Sequence, residues 1–353
     1  MSPTWKRPPL PEETFTDRFG EGEGELLTLS YPKPLPMRLD RWLVSQRTEQ
    51  SRARIQKFID ASYVRVNGKT GKAKTPLREG DEVQLWMPPP EPLPYLKPQP
   101  MDLDVLFEDD HLIVINKPAG LTVHPAPGNK DGTLVNGLLH HFEQLPTAEG
   151  QPAPRPGLVH RLDKDTTGLM VIGKTEHAMV SLSEQFFERT TERRYHALVW
   201  GDVAEDGTVE GHIGRSYKDR KVQAVFPDGN EGKHAVTHYR VLERLGPVTL
   251  VECKLETGRT HQIRVHMQHI GHPLFGDKTY GGAQIVKGLP SGKYNQFVAN
   301  NFEILPRQAL HAKSLGFTHP GTGEFKQFES DLPEDMTTVL DRWRRYLGAT
   351  TAP

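Results

Sequence analysis

The sequence predicts an α+β protein in which a small helix–helix–strand module precedes a larger domain built on a mixed, mostly antiparallel sheet with flanking helices. The chain has 353 residues, more than one domain of ordinary size requires. A proline-rich stretch at residues 88–100 separates two parts with different apolar patterns. Beyond it, many short strand-like runs are joined partly by turns and partly by helix-like runs, which is typical of α+β domains.

The first segment, residues 1–36, is rich in proline, glycine and glutamate and has few regularly spaced apolar residues. A segment of this composition cannot bury enough apolar surface to fold. Its six acidic residues outnumber its four basic ones. We therefore expect a disordered acidic tail.

Residues 37–87 change from a helical to a strand-like pattern. Apolar residues from Leu39 to Ile59 recur at helical spacing, which predicts two short amphipathic helices joined near residues 47–50. A strand at residues 63–66 then ends in the turn signal Asn67-Gly68, and residues 82–86 are expected to form the returning strand. This module carries eleven Lys or Arg against six Asp or Glu, an excess suited to phosphate groups.

Residues 88–100 favour an extended connector because their prolines cannot continue a helix or a central strand. Residues 101–347 form the second domain, in which Asp109-Asp110 lies at the turn of a hairpin. Its other strands are expected at residues 169–172, 195–199, 238–241, 248–255 and 309–317. Its helices are expected at residues 132–142, with Thr133 as the N-cap, and at 176–188, 261–270 and 336–346.

The bulk composition excludes several classes of protein. No run of about 18 apolar residues and no charged-then-apolar leader is present, so we expect no membrane span, no secretory signal and a cytoplasmic location. The single cysteine, Cys253, falls in an alternating stretch and is interpreted as a packed thiol. The net charge of -1 averages over an acidic tail and a basic module, so it does not exclude RNA binding.

The segment most suggestive of chemistry is HRLDKDTTGL, which begins at His160 and leads into an apolar strand. Asp163 offers a carboxylate as nucleophile or base, and Arg161 can neutralise a phosphate or stack on a nucleobase. From the residues alone, a salt-bridged and capped structural turn is an equally good interpretation.

The same segment resembles the signature loop HRLDxxTSGL of the RluA family of pseudouridine synthases, with Thr167 in place of the usual serine and the hydroxyl retained. Three further segments resemble that family, in its order: NKPAGLTVHP from Asn116, RYHALV from Arg194, and ETGRTHQIRVH from Glu256. The resemblance extends over about residues 37–345 and is greatest to the RluD-like branch, which modifies large-subunit ribosomal RNA.

The resemblance implies a basic S4-like RNA-binding domain at residues 37–87 and a pseudouridine synthase catalytic domain after it. It implies isomerisation of uridine to pseudouridine without cofactor, by a monomer, in large-subunit ribosomal RNA, free or in ribosomal particles. Two alternatives remain at this point: a synthase acting on transfer RNA, and an RNA-binding ribosome-assembly factor without catalysis.

The resemblance also assigns roles to individual residues. It makes Asp163 the essential carboxylate and Arg264 its cationic partner; a surface arginine is the alternative for Arg264. It makes Tyr195 the residue that stacks on the target base, whereas a core tyrosine is the ordinary interpretation. Arg161 is expected to fill the gap left by an extruded uridine; its alternative is a salt bridge with Asp165.

Basic residues of the S4-like module are expected to bind RNA phosphates, although scattered basic residues usually form a solvated surface. These residues are Arg38, Arg41, Arg52, Arg54, Lys57 and Arg65.

Four histidines, at positions 261, 266, 269 and 272, raise the question of a metal site. Their spacing does not place them on one helical face, and no HExxH pattern or second thiol is present. The turn at Pro127-Gly128-Asn129 is not followed by the GKS or GKT of a P-loop. We therefore expect no metal and no nucleotide cofactor.

Overall fold

The computed structural model describes residues 25–46, 52–87, 96–125, 129–142, 145–147, 155–219, 222–289 and 291–351. The chain divides into two compact units between Pro94 and Tyr95, inside the proline-rich stretch. After this boundary, residues 96–100 form no helix or strand. The Gln99 backbone N–H donates to the Asn136 backbone carbonyl of the larger unit. None of the described helices has the length and apolarity required to cross a membrane.

The smaller unit packs two helices against a four-stranded sheet of order β1-β6-β3-β4, with a separate two-stranded pair β2-β5. Its elements are β1 (Glu25–Ser30), β2 (Met37–Arg38), α1 (Leu39–Gln46), α2 (Arg52–Asp60), β3 (Val64–Val66), β4 (Lys69–Thr70), β5 (Pro76–Leu77) and β6 (Glu82–Met87). Trp42, Leu43 and Ile55 of the helices and Leu85 of β6 are buried in its core. The apolar spacing in the sequence correctly predicted both helices.

The turn at Asn67-Gly68 leads to a different strand from the one expected. Both residues have positive φ, 50° and 75°, which suits a tight hairpin, and they connect β3 directly to β4. Strand β6, expected as the returning strand, pairs with the other edge of β3. The two-residue strand β4 is too short to show an alternating pattern in the sequence.

The prediction of a disordered tail over residues 1–36 is wrong for its last part, while residues 1–24 lie outside the described residues. Strand β1 pairs antiparallel with β6, Leu27 opposite Leu85 and Leu29 opposite Val83, and Tyr31 is fully buried. The apolar run around Leu27 forms this strand because β6 offers it an edge. The acidic average of the whole segment concealed that run.

The larger unit is built on one ten-stranded sheet of order β12-β11-β13-β14-β10-β15-β9-β8-β7, with β16 paired to β15. Its strands are β7 (Val105–Glu108), β8 (Leu112–Lys117), β9 (Thr167–Gly173), β10 (Glu192–Trp200), β11 (Gly207–Arg215), β12 (Gln223–Phe226), β13 (Lys233–Arg244), β14 (Val248–Leu255), β15 (Leu310–Thr318) and β16 (Phe325–Glu329). Its helices are α3 (Leu134–His141), α4 (Glu176–Glu188), α5 (Gln262–His269), α6 (Gly292–Ile304) and α7 (Glu334–Thr351).

This sheet confirms the predicted mixed, mostly antiparallel architecture. The β9–β15 pair is parallel, and the other strand pairs of the sheet are antiparallel. The loop that begins at His160 enters β9, and β9 lies between β8 and β15 in the middle of the sheet. The loop is therefore anchored to well-packed strands.

The core around α6 and α7 is rich in aromatic residues. Trp200 of β10 and Trp343 of α7 are fully buried, with ring centroids 6.3 Å apart, and Phe275 packs on both. This core supports the chain from the end of β10 through the segment after α5. Helix α6 and strands β11, β12 and β16 were not predicted from the sequence.

Candidate active site

The segment from His160 to Gly168 is fixed at its first residue by a histidine that acts as a hydrogen-bond acceptor. His160 Nε2 accepts the Val171 backbone N–H at 3.0 Å, and its ring stacks on Phe186 with centroids 4.5 Å apart. Burial of the imidazole lowers the pKa of His160 to about 3. A neutral ring is what this acceptor role requires, so His160 is a structural residue of the loop.

The end of the same segment is tied to the segment before β15. The Thr166 N–H donates to the Asp163 carbonyl at 3.1 Å, which closes a turn around the carboxylate-bearing residue. Gly168 has φ of 111°, and a side chain there would collide with the Ala312 backbone on the parallel strand. Glycine therefore permits the close approach that positions Asp163 beside β15.

Two buried cations bind the backbone around Asp163. Lys117 is fully buried at the end of β8, and its Nζ donates to the carbonyls of Pro118, Leu121 and Lys164 at 2.8, 3.0 and 2.9 Å. Burial lowers its pKa to about 7, opposed by nearby carboxylates. Arg307 donates to the Asp165 carbonyl at 3.0 Å and holds Asp335 with two hydrogen bonds.

The Asp163 carboxylate faces Arg264, as the motifs predicted. Arg264 Nη1 donates to Asp163 Oδ2 at 2.9 Å, while Nε and Nη2 donate to the two oxygens of Asp277 at 2.7 and 2.9 Å. Asp277 is fully buried and also accepts the backbone N–H groups of Thr279 and Tyr280 at 2.9 and 3.1 Å. Asp277 therefore fixes the guanidinium, which presents its remaining edge to Asp163.

The electrostatic balance at Arg264 favours the charged form. Burial alone would lower the pKa of Arg264, but the hydrogen bonds and charges of Asp277 and Asp163 outweigh burial and raise it. The ring of Tyr280 adds a cation–π contact, with its centroid 5.1 Å from the guanidinium carbon. Arg264 is 6% exposed, so the alternative interpretation of a surface arginine does not apply.

His261 lies on the same side of Asp163. It caps α5 with a positive φ of 57°, its Nε2 is 3.8 Å from Asp163 Oδ2, and its Nδ1 is 2.9 Å from the Tyr280 hydroxyl. That hydroxyl also accepts the Gln223 N–H at 3.1 Å. Burial lowers the pKa of His261. When Tyr280 donates to Nδ1, the proton of the neutral ring is on Nε2 and faces the carboxylate.

A pocket opens at these groups, lined by Arg161, Asp163, Tyr195, His261, Arg264 and Leu310, among others. Tyr195 of β10 is 9% exposed, and its hydroxyl has no hydrogen-bond partner among the described residues. Burial raises the pKa of Tyr195. Arg161 is exposed, and within the described part of the chain it forms no ion pair with Asp165, which was the alternative interpretation. The fold therefore brings all four predicted residues to one pocket.

Comparisons with known proteins show the family of this chain. Residues 111–269 match the family model described as RNA pseudouridylate synthase, and residues 37–83 match the S4 domain. A Chlorobaculum parvum protein named an uncharacterized RNA pseudouridine synthase is 47% identical over 317 residues, 89% of this chain and 96% of that protein. The chain belongs to the RNA pseudouridylate synthase family. A Nitrosomonas europaea relative named ribosomal large subunit pseudouridine synthase D is 44% identical over 327 residues, 92% of this chain and 90% of that protein.

This RNA pseudouridine synthase is thus an isomerase whose S4 domain precedes the catalytic domain in the sequence, as the motifs predicted. Three of the four histidines that raised the question of a metal have separate partners, and His261 bonds to Tyr280 as described above. His266 Nδ1 is hydrogen-bonded to the Thr237 hydroxyl at 3.0 Å, and His272 Nδ1 is hydrogen-bonded to the Trp200 carbonyl at 2.8 Å. Among the described residues no group of three or more His, Cys, Asp or Glu is arranged to hold a metal ion. Burial raises the pKa of Cys253 to about 12, which suits a packed thiol.

The basic residues of the S4 domain occupy different environments. Arg38 forms a two-point ion pair with Asp40, at 2.9 and 2.7 Å, while its side chain remains 40% exposed. Arg41 is exposed on α1, and Arg54 lies over the Phe58 ring at 5.5 Å. Lys57 is exposed on α2 and Arg65 is half-buried in β3; the Arg52 side chain lies outside the described residues.

Sequence reasoning assigned no role to three residues that support the pocket of this synthase from behind its lining: Asp277 and Tyr280, which contact Arg264, and Lys117, which holds the Lys164 carbonyl. The signal available was the polar residue types in the motifs. Their partners are distant in sequence, and only the folded chain shows which atoms meet.

Proposed function

We propose that this synthase isomerises uridines of large-subunit ribosomal RNA and that Asp163 is its catalytic carboxylate. The observation that carries the proposal is the ion pair of Asp163 with Arg264, whose guanidinium is fixed by the fully buried Asp277. A carboxylate at 18% exposure beside a fixed cation, with open space in front, can act on a bound nucleotide.

The reaction breaks the N1–C1′ bond of uridine, rotates the base and joins C5 to C1′. C5 loses its proton and N1 gains one, so no atom is gained or lost overall. Asp163 either attacks C1′ or removes the C2′ proton. Both routes begin with the carboxylate form, and the Arg264 guanidinium at 2.9 Å stabilises that form. As the carboxylate charge is consumed, the guanidinium can stabilise the negative charge that develops on the departing uracil.

Tyr195 and Arg161 are assigned to the base and the RNA stack. The Tyr195 ring lines the pocket, where it can stack on the uracil, and its unbonded hydroxyl is available to a ligand or proton. A paired or stacked uridine must leave its helix to reach Asp163, which costs a few kcal/mol. Arg161, exposed at the pocket and without an ion pair among the described residues, can occupy the gap with its planar guanidinium.

The S4 domain contributes phosphate contacts in this proposal. Arg38, Arg41, Arg52, Arg54, Lys57 and Arg65 are the residues assigned to these contacts. Arg41 is the best placed of those that the structure describes, because it is exposed and has no partner there. Replacing Arg41 alone should weaken binding similarly for all RNA sequences and reduce the salt dependence.

Large-subunit ribosomal RNA is proposed as the substrate because the Nitrosomonas europaea relative is named for it and spans nearly the same length. For the same reason we propose a cytoplasmic location. The proposal includes a monomeric enzyme, because one chain supplies Asp163, Tyr195, Arg264 and Asp277 around the pocket.

The test compares wild-type protein with Asp163→Asn and Asp165→Asn on unmodified large-subunit ribosomal RNA and transfer RNA, with pseudouridine mapped by carbodiimide labelling and primer extension. Asp165→Asn is a matched control, since it removes a carboxylate two residues away that does not contact Arg264. We expect new stops in ribosomal RNA with wild type and with Asp165→Asn, and none with Asp163→Asn.

Other outcomes reject defined parts of the proposal. Stops with Asp163→Asn remove Asp163 from its role. Stops in transfer RNA alone replace the substrate. Tight RNA binding without stops from the wild-type protein indicates an assembly factor.

A further inference from the structure

One buried cation near the pocket has no counter-charge within the described residues. Arg193 of β10 is 7% exposed, and its Nε has no hydrogen-bond acceptor among the described residues. Among the described residues no carboxylate forms an ion pair with it; burial lowers its pKa, and Tyr195 opposes this. Its one described side-chain contact is a cation–π contact with Phe186, at 5.3 Å from the guanidinium carbon to the ring centroid.

This is unusual by comparison with the other buried arginines of the described chain. Arg264 and Arg307 are 6% and 7% exposed, and each is held by a two-point ion pair with an aspartate. An unpaired buried cation costs free energy. An aromatic ring offsets only part of that cost. The fold tolerates at Arg193 a charge that it neutralises at the other two sites.

The position of Arg193 relates it to the uridine pocket. Residues 193 and 195 lie two apart on β10, and the alternating burial of that strand places Arg193 and Tyr195 on the same face. On its outer side the guanidinium borders Gly258, an exposed glycine, so closely that a β-carbon there would lie 3.1 Å from Nη1. A side chain at position 258 would cover the guanidinium.

A second unpaired group precedes Arg193. The Thr191 hydroxyl is buried, and it has no hydrogen-bond partner within the described residues. A guanidinium and a hydroxyl from one short segment are both donors, and neither is satisfied by the described chain. Their common complement is an anion that accepts several hydrogen bonds.

We propose that Arg193 binds a phosphodiester of the RNA backbone next to the nucleotide that enters the pocket, with Thr191 as an additional donor. This inference rests on the proposed function, which supplies the RNA. A bound phosphate would supply the negative charge that Arg193 lacks among the described residues. Because Arg193 and Tyr195 lie on the same face of β10, a phosphate bound at Arg193 would lie on the side of the strand that carries Tyr195.

The test uses Arg193→Met, because methionine has similar length and can still pack on the Phe186 ring. The matched control is Arg194→Met, which removes the same charge from the next residue, whose side chain is 37% exposed and paired with Glu252 at 2.9 Å. Affinity for unmodified large-subunit ribosomal RNA is measured over a series of salt concentrations, and thermal unfolding is measured without RNA.

We expect Arg193→Met to weaken RNA binding about tenfold at low salt. We also expect it to reduce the slope of log affinity against log salt by about 0.7–0.9. Its Tm should be unchanged or higher, since the variant removes an unpaired buried charge. Arg193→Lys should keep the salt slope because it keeps the charge. Arg194→Met should keep both affinity and slope.

An unchanged salt slope in Arg193→Met overturns the proposal, and so does a lower Tm or a failure to fold, since both show that the arginine is needed for packing. Binding is measured independently of chemistry. If wild-type protein binds the RNA but forms no pseudouridine, the proposed function fails while the comparison of Arg193→Met with Arg194→Met still decides the phosphate site.

Discussion

Asp277→Asn is the substitution that most directly tests how the catalytic pocket is held together. Asparagine preserves the shape of the side chain but removes the charge, and one of its two acceptors becomes a donor. Arg264 then keeps a single carboxylate, Asp163, and two of its N–H groups lose a charged acceptor. Tyr280 and Thr279 also donate to Asp277, so the turn after α5 is weakened with it.

The expected loss follows from burial. Removing one partner of a buried, hydrogen-bonded ion pair costs about 3–5 kcal/mol, and we expect a loss near the lower limit because Asp163 still compensates part of the Arg264 charge. For a unit of about 250 residues, each kcal/mol shifts the Tm by about 2–4 °C, so the Tm should fall by about 10 °C. Pseudouridine formation should fall about 100-fold, since a displacement of about 1 Å at a catalytic group has effects of that size.

The assay is thermal and urea unfolding of the full-length protein, with pseudouridine formation on ribosomal RNA measured below the unfolding transition. The control is Asp202→Asn, which breaks a two-point ion pair with Arg244 in the same unit where both side chains are 50% exposed. An exposed pair of this kind contributes about 1 kcal/mol or less. Its variant should keep its Tm within about 3 °C.

The result that would refute the reasoning is an Asp277→Asn protein that loses no more stability than Asp202→Asn. In that case water or a neighbouring group compensates Arg264, and Asp277 is not what fixes the guanidinium. If the Tm falls as expected but pseudouridine formation is unchanged, only one claim is refuted, namely that Arg264 must be fixed for Asp163 to act.

Three further predictions concern the surroundings of the pocket. Lys117→Met removes the donor of three partly buried hydrogen bonds to backbone carbonyls and should lower the free energy of unfolding by about 3 kcal/mol in urea titrations; a loss below about 1 kcal/mol would contradict it. Gly168→Ala should lower the Tm by several degrees, because φ is 111° and the Ala312 backbone is in contact, and an unchanged Tm would refute this strain. Burial lowers the pKa values of His266 and His311 to about 4, so both are neutral in the folded protein, whereas they titrate near 6.5 when unfolded. The unfolded chain binds more protons between these values, so urea unfolding should show stability falling as pH decreases from about 6.5 to 4; a constant stability would exclude this linkage.

The elements that sequence reasoning predicted best are those whose pattern is set by two packed neighbours. Strand β14 coincides with its prediction, Val248–Leu255, because β10 and β13 flank it and its second half alternates apolar residues with Glu252 and Lys254. Helix α4 also coincides with its prediction, Glu176–Glu188, and Thr175 caps it by accepting the Ala178 N–H. Local pattern and tertiary packing agree at these places.

Helix α6 shows why other elements could not be predicted. Its sequence, GKYNQFVANNFEI, contains glycine, asparagine and aromatic residues with weak helix propensity. The helix is stabilised by tertiary burial of Tyr294 and Val298, which pack against the aromatic core near Trp343. The cap at Ser291, whose hydroxyl accepts the Tyr294 N–H, was the one local signal of its beginning.

The residues of the candidate site were likewise predictable only in part. Motifs could indicate Asp163, Tyr195 and Arg264, because residue type at fixed spacing restricts the chemistry. They could not show that Arg264 needs Asp277, thirteen residues away, or that Lys117 bonds a carbonyl 47 residues away. Polar partners of this kind depend on which backbone segments meet, and hydrophobic periodicity carries no information about them.

The charges around the pocket are therefore distributed unequally, and this inequality has a physical consequence. On one side, Arg264 is held by two aspartates, so its position is fixed before RNA arrives and no binding free energy is needed to order it. On the face of β10, Arg193 has no carboxylate partner in the part of the chain that the structure describes, so its interaction free energy is available to an incoming anion. A fixed cation suits a group that must hold Asp163 throughout the reaction. An unpaired cation suits a group that stabilises the RNA-bound enzyme relative to the free enzyme, because only the bound state would supply its counter-charge.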